Sequence, residues 1–176
     1  MSIQLGEHSY SSTVTVQAWT TSNVVIKTGK FCSLAGGINF VIDGNHNMNS
    51  FSTYPFKERF GWGHCPKNNW GKSIPTVGND VWIGNNVTIY SGVNIGDGAV
   101  IAGQSVVTRD VPPYSLVAGN PGRVKKYRFS PEIITELQQL KWWDLPLETI
   151  KTDLIPHIDD IEAFLSKLRV LRGVRN

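Results

Sequence analysis

His46 stands in the stretch GNHNMNSFSTYPF, Gly44 to Phe56, where an otherwise regular sequence loses its rhythm. An imidazole can take a proton from a reacting hydroxyl near neutral pH, which is the work of a general base. A lone loop histidine is more often an ordinary surface residue, and His8, His64 and His157 take that plainer reading. A second cluster, Arg123, Lys125, Lys126 and Arg128, offers cationic donors of the kind that suit phosphate groups; its bland alternative is a solvated face. Cys32 and Cys65 make neither a metal spacing nor a disulfide framework, which points to the cytoplasm. Cys32 reads as a small buried hydrophobe and Cys65 as a free loop thiol.

These side chains need elements to position them, and the elements follow from a repeat. Val77, Ile83, Ile89, Ile95, Ile101 and Val107 recur every six residues. The residue after each anchor is often small (Gly78, Gly84, Gly96, Ala102), and four places on come Val81, Val87, Val93, Ala99, Ser105 and Val111. A weaker copy runs earlier through Val16, Ser22, Thr28, Leu34 and Phe40, with Ile26, Cys32 and Ile38 at the fourth place. A period of six is neither the 3.6 of a helix nor plain alternation. A hexapeptide forms one short strand and a turn, and three close a triangular coil of a parallel β-helix whose anchors fill the prism. Spacing leaves the hand open.

Between Asn45 and about Ser73 the pattern vanishes, and prolines, glycines and aromatics replace it. Phe51, Tyr54, Phe56, Phe60, Trp62 and Trp70 argue that this excursion of about thirty residues packs against something, a second subunit included. After Val111 the repeat ends. Ser130 caps a helix with Pro131 at its first position, and Ile133, Ile134, Leu137 and Leu140 give it an apolar face. Lys141-Trp142-Trp143-Asp144 breaks that helix, Pro146 starts a short one, and Ile158, Ile161, Leu165, Leu168 and Leu171 mark a final amphipathic helix. The expected organisation is a β-helix over 1–128 with a loop at about 46–73, and a helical extension over 129–176.

Composition excludes several classes. Hydrophobic residues are 40% and charged residues 18% of the chain, a globular balance, and the net charge of +3 is too small to argue for nucleic acid. The opening residues show no basic-then-apolar leader, and no run has the length of a membrane span.

The strings FCSLAGG, GNHNMNSFSTYPF, VGNDVWIGNNVTI, IGDGAVIAGQSVVTRDVPPYSLVAGNPGRV and RFSPEIITELQQLKWWDLP, in that order, resemble the hexapeptide-repeat xenobiotic acetyltransferases. That group holds the streptogramin and type-B chloramphenicol acetyltransferases and similar enzymes that acetylate sugars and polysaccharides. The likeness runs from about Gly29 to Phe164. The end of the repeat is shared by many hexapeptide acyltransferases, whereas Asn-His before Ser-Thr-Tyr-Pro-Phe, with Lys-Trp-Trp-Asp, is far more specific. The resemblance implies an all-β, left-handed parallel β-helix with a C-terminal α-helical tail, assembled as a homotrimer with active sites between neighbouring prisms. It implies acetyl-CoA as co-substrate, no metal, and His46 as general base in direct transfer to a hydroxyl or amine of a small acceptor. It places Trp82 beside the thioester, Ala102, Gly103 and Ala118 along the pantetheine arm, and Arg123 and Lys126 at the nucleotide phosphates. Asn45, Ser52 and Tyr54 fall beside the acceptor. Ser52 keeps a formal claim to a nucleophile's role, and the donor to the oxyanion goes unnamed, since similar enzymes use backbone amides or nearby polar groups.

Three other readings stand beside this one. The acceptor can be a sugar, nucleotide-sugar or surface polysaccharide, because the segment KERFGWGHCPKNNWGKSIPT departs from the streptogramin and chloramphenicol members. A zinc hydratase on the same fold needs three converging histidines, and only His46 and His64 lie near the right region. A non-catalytic scaffold is the third, and Asn45, His46 and Trp82 speak against it.

Overall fold

In the computed structural model, which describes residues 1–19, 21–63 and 71–174, the six-residue period becomes three parallel sheets. His64, Cys65, Pro66 and Trp70, singled out in the sequence, lie outside the described residues. The strands are β1 (Ser2–Gln4), β2 (Tyr10–Ser11), β3 (Val14–Gln17), β4 (Val25–Thr28), β5 (Ser33–Leu34), β6 (Ile38–Val41), β7 (Thr76–Val77), β8 (Trp82–Ile83), β9 (Thr88–Tyr90), β10 (Asn94–Ile95), β11 (Val100–Ile101), β12 (Val106–Val107), β13 (Ser115–Ala118) and β14 (Arg123–Tyr127). As far as β12, each sheet takes every third strand. The first is β1-β4-β7-β10 and the third is β3-β6-β9-β12, while the second runs β2-β5-β8-β11-β13-β14. The chain thus winds round a three-sided coil, and each strand is short because a side is only one hexapeptide long.

Elementary packing explains the repeat. All six anchors from Val77 to Val107 are buried, as are Val81, Val87, Val93, Ala99, Ser105 and Val111. Small residues follow the anchors of the first and second sheets (Gly78, Gly96, Gly84, Ala102) because coils stack backbone on backbone at those corners, whereas Tyr90 and Thr108 follow third-sheet anchors. A Cβ placed on Gly84 would lie 2.6 Å from the amide nitrogen of Gly103. Three residues after successive anchors the chain turns through the left-handed region, at Asp80 (φ 54°), Asn86 (55°), Gly92 (76°), Gly98 (67°) and Gln104 (64°). Glycine, asparagine and aspartate tolerate that region best. The N–H of Asp80, Asn86, Gly98 and Gln104 each donates to a carbonyl one coil earlier, those of Lys30, Gly36, Asn79 and Asn85, so every corner is tied to the one before it.

The earlier copy of the frame needs one correction. Ser22 is exposed, and Val24 and Ile26 are buried in its vicinity instead. Val16 and Thr28, both core-side, are twelve positions apart where Ile89 and Ile95 are six apart, so the corner between β3 and β4 holds an extra hexapeptide's length of chain. Thr28 is a polar anchor whose hydroxyl accepts from the Gly6 N–H (3.1 Å) and donates to the Gly29 carbonyl (3.0 Å). Cys32 is fully buried with its Sγ 3.1 Å from the Gly78 carbonyl, and burial pushes its thiol above the ordinary range.

The excursion leaves from the same corner one coil later. Partners in the second and third coils are 49 residues apart (Lys27 with Thr76, Ser33 with Trp82, Phe40 with Ile89), against 18 in the third and fourth (Thr76 with Asn94, Trp82 with Val100). The difference is an insertion of 31 residues, and the sheets keep their register across it. Its described part carries one short helix, α1 (Phe56–Phe60), with no buried residue.

Two compact units divide the chain, Met1–Lys126 and Tyr127–Asn176. The second holds α2 (Pro131–Leu140), a 3-10 turn at Trp142–Asp144, α3 (Leu147–Thr149) running into a π-turn at Ile150–Leu154, and α4 (Ile161–Arg172). Ser130 caps α2, its Oγ accepting from the Ile133 N–H. Asp160 caps α4 by accepting from the N–H groups of Glu162 and Ala163. That cap corrects the reading of Ile158, which lies exposed before the helix begins. Arg169 grips Glu136 with two hydrogen bonds, and this holds the Glu136 carboxyl below its usual range. Among the described residues no helix is long and apolar enough to cross a membrane.

Candidate active site

The imidazole of His46 is exposed, and its Nδ1 lies 2.6 Å from the Thr53 carbonyl oxygen. A carbonyl only accepts, so Nδ1 carries the hydrogen and Nε2 presents its lone pair outward. With Nδ1 protonated, Nε2 is the nitrogen able to take a hydroxyl or amine proton. The turn that brings Thr53 back to His46 is built from side chains. Asn47 Oδ1 accepts from the Asn49 N–H (2.9 Å), Asn47 Nδ2 donates to Ser50 Oγ (2.7 Å), and Ser52 Oγ accepts from the Tyr54 N–H (3.1 Å). Ser52 thus shapes the loop, the Thr53 carbonyl meets His46, and Asn45 is exposed beside it.

Aromatic rings continue this surface. Tyr54 meets Phe56 at 4.9 Å between centroids and Phe60 at 5.9 Å, and Phe60 stacks on Trp62 at 4.7 Å. Phe51 is 97% exposed, and Tyr54, Phe60 and Trp62 are largely so. A contiguous aromatic patch of this kind marks a contact surface.

Trp82, Ala102 and Ala118 occupy a different face. In β8, β11 and β13 the partners Ile83, Ile101 and Val117 point into the core, so alternation turns their neighbours outward. Trp82 is 57% exposed at the head of this face. The next outward row, Ala35, Gly84, Ala102 and Ala118, has only small side chains, and Gly103 follows at the corner. The face is therefore a shallow channel with a tryptophan at one side. Arg123 and Lys126 lie on β14, exposed throughout and next to β13 in the same sheet. Strand alternation puts Arg123 and Lys125 on one side of β14 and Lys126 on the other, so the two cations singled out from the sequence do not share a face. Arg123 also donates to the Gly122 carbonyl at 2.8 Å.

His46 and the channel belong to different parts of the coil. The loop leaves the corner between the third and first sheets, whereas the channel lies on the second. His46 is five residues past Val41, a reach of at most about 18 Å fully extended. Sequence reasoning also passed over Asp43, a 4%-exposed carboxylate three residues before His46. Its signal was available: an acid ending the core run Phe40-Val41-Ile42 is out of pattern. No group of three histidine, cysteine, aspartate or glutamate side chains among the described residues could hold a metal.

Comparison with known proteins bears on this geometry. A profile of the bacterial transferase hexapeptide (six repeats) matches residues 74–109. A probable macrolide acetyltransferase of Lysinibacillus sphaericus is 46% identical over 138 residues, which are 72% of this chain and 73% of that protein. A chloramphenicol acetyltransferase of Morganella morganii is 40% identical over 129 residues, 70% of this chain and 61% of that one. Among solved structures, a hexapeptide-repeat acetyltransferase of Vibrio cholerae complexed with acetyl-CoA superposes with a TM-score of 0.54 at 28% identity, over 73% of this chain and 61% of that one. The chain thus spans about three fifths of the length of the last two.

Proposed function

This chain belongs to the hexapeptide-repeat xenobiotic acetyltransferase family, and from that premise we propose that it moves an acetyl group from acetyl-CoA to a hydroxyl or amine of a small, antibiotic-type acceptor. The observation that carries the reading is the Nδ1–H bond from His46 to the Thr53 carbonyl, which leaves Nε2 free to take the acceptor's proton. The thioester supplies an activated acetyl group, and everything else falls to the protein. His46 removes the proton as the acceptor attacks, and the proton then passes to the departing thiolate, so no acyl-enzyme is needed. The outward row of Ala102 and Ala118 gives a thin pantetheine chain room to lie flat, and Trp82 flanks it. Arg123 and Lys126, on opposite sides of a strand, grip phosphates from two directions or divide the work between them.

Assembly follows from the separation of the two half-sites. His46 of one copy meets the channel of another, and the exposed rings from Phe51 to Trp62 cover that junction. A closed ring of three left-handed prisms, each with its 1–128 domain catalytic and its 129–176 extension appended, satisfies this with one repeated contact. A cell compartment that supplies acetyl-CoA and keeps Cys32 reduced, the cytoplasm, suits it.

A thermal-shift titration with acetyl-CoA, joined to thiol release against macrolide, streptogramin, chloramphenicol and amino- or hydroxy-sugar acceptors, tests the proposal. A ligand at a hundred times its Kd adds about 2.7 kcal/mol to the folded state. No shift with acetyl-CoA would refute the transferase reading. Turnover of sugars alone would move the acceptor to the sugar or polysaccharide class.

A further inference from the structure

The corner between the third and first sheets carries extra chain in two successive coils: the hexapeptide's length that holds Trp19 and Thr21, and above it the 31-residue excursion that holds His46. Where the two meet, Asp43 joins them. Its Oδ1 accepts from the Trp19 N–H and its Oδ2 from the Thr21 N–H, the latter at 2.7 Å. Both carboxylate oxygens of a nearly buried acid thus serve backbone donors of the lower corner, in charge-assisted bonds roughly twice as strong as neutral ones. The next residue, Gly44, has φ +97°, and a Cβ there would lie 2.7 Å from the Trp19 ring. On the other side, Gly71 of the returning chain backs directly onto the Ile42 carbonyl. Ile42, Asp43 and Gly44 therefore form a post clamped from two sides, and His46 stands two residues beyond it.

We infer that Asp43 is a positioning residue for His46, and that the β3–β4 corner bearing Trp19 belongs to the catalytic apparatus as its footing. The inference rests on His46 being the base. Among the described residues, the excursion holds the imidazole through an exposed contact, Nδ1 to the Thr53 carbonyl. That contact persists only if the backbone at residue 46 stays put relative to residue 53, and the Asp43 post holds the outgoing limb. Trp19, 65% exposed, contributes little to the core, and its ring lies where a wider residue than glycine would push the outgoing chain aside.

The test uses the full-length chain and a readout independent of turnover. Long-range proton–nitrogen correlation of the histidine side chains reports which ring nitrogen of His46 carries the hydrogen, and His46→Ala assigns the signal. In the parent, Nδ1 holds it. In Asp43→Asn, whose amide can accept at only one oxygen, the His46 signal should move toward a mixture of tautomers. The same variant should lose about tenfold to a hundredfold in kcat, the scale of a catalytic group displaced by up to about an ångström, with the KM for acetyl-CoA unchanged. Trp19→Ala, an exposed change that leaves the core intact, should shift the tautomer signal in the same direction and carries the test if Asp43→Asn does not fold. A folded Asp43→Asn or Trp19→Ala protein with the parental tautomer and kcat within about twofold overturns the inference, as does a lower Tm with both readouts unchanged. If His46→Ala itself kept kcat, the base assignment would fail; if His46→Ala is inactive while Asp43→Asn is parental, only the positioning role fails.

Discussion

Because His46 and the small-residue channel sit on different faces of one coil, two crippled proteins should repair each other. On the proposed role of His46 as base, His46→Ala should cut kcat about a hundredfold, which is about 2.7 kcal/mol of transition-state stabilisation. Ala102→Trp fills the channel from its outer face, where it touches no core residue, and should abolish activity by excluding the co-substrate. Denatured together in equal amounts and refolded, the two chains assort at random in each ring. A working site needs its loop from an Ala102→Trp chain and its channel from a His46→Ala chain, each drawn with a chance of one half. About one quarter of all sites then work, so the mixture should recover about 25% of parental kcat while each variant alone stays near zero. The assay is thiol release on the mixture, with mass photometry of differently tagged chains confirming mixed assemblies. Mixed assemblies that stay inactive would place both halves of the site in one chain, and the reasoning from sheet topology would be wrong.

Other consequences are open to simpler measurement. Removing both Arg123 and Lys126 should weaken acetyl-CoA more than a truncated pantetheine thioester, by at most about 1.5–3 kcal/mol per charged contact and less at such exposed sites; equal losses by calorimetry would remove the phosphate role. Ile83→Ala, at a fully buried anchor, should cost about 2–5 kcal/mol, read as a lower denaturant midpoint with the slope unchanged. In the helical unit, the Glu136 carboxyl is depressed by hydrogen bonds from Arg169, so its contribution is present above the unfolded pKa and fades as pH falls through the folded one. Glu136→Gln should therefore lower stability at neutral pH and flatten its loss below about pH 4.3; parallel acid profiles would contradict this.

Much of the coil was legible because stacking demands the same side chain at the same place every six residues. Anchors from Val77 to Val107 show it most plainly, and the excursion announced itself as a failure of that demand. Ser22 was misread because period alone cannot see a corner that lengthens by another hexapeptide: the count still matched while the chain had left the core. Ile158 was misread because its apolar spacing continued past the cap that Asp160 imposes. The site was legible only in part. His46 is a side chain and can be named, but the partner that sets its tautomer is the Thr53 carbonyl, a group every residue has and no sequence distinguishes. Asp43 stands out of pattern in the sequence, yet its role there is not legible, because it depends on a corner one coil away, joined by contacts between residues more than twenty positions apart.

The register kept across 31 inserted residues says something about how such proteins diversify. Closing 34 residues between β6 and β7 rather than the 3 that join β9 to β10 costs about 2 kcal/mol of chain entropy, a modest sum against a core that never senses the change. Corners of this coil behave as sockets. A new acceptor preference can be grafted at one of them as a cassette, while the row of small residues on the opposite sheet is inherited unaltered, so loop and coil can drift at independent rates within one small chain.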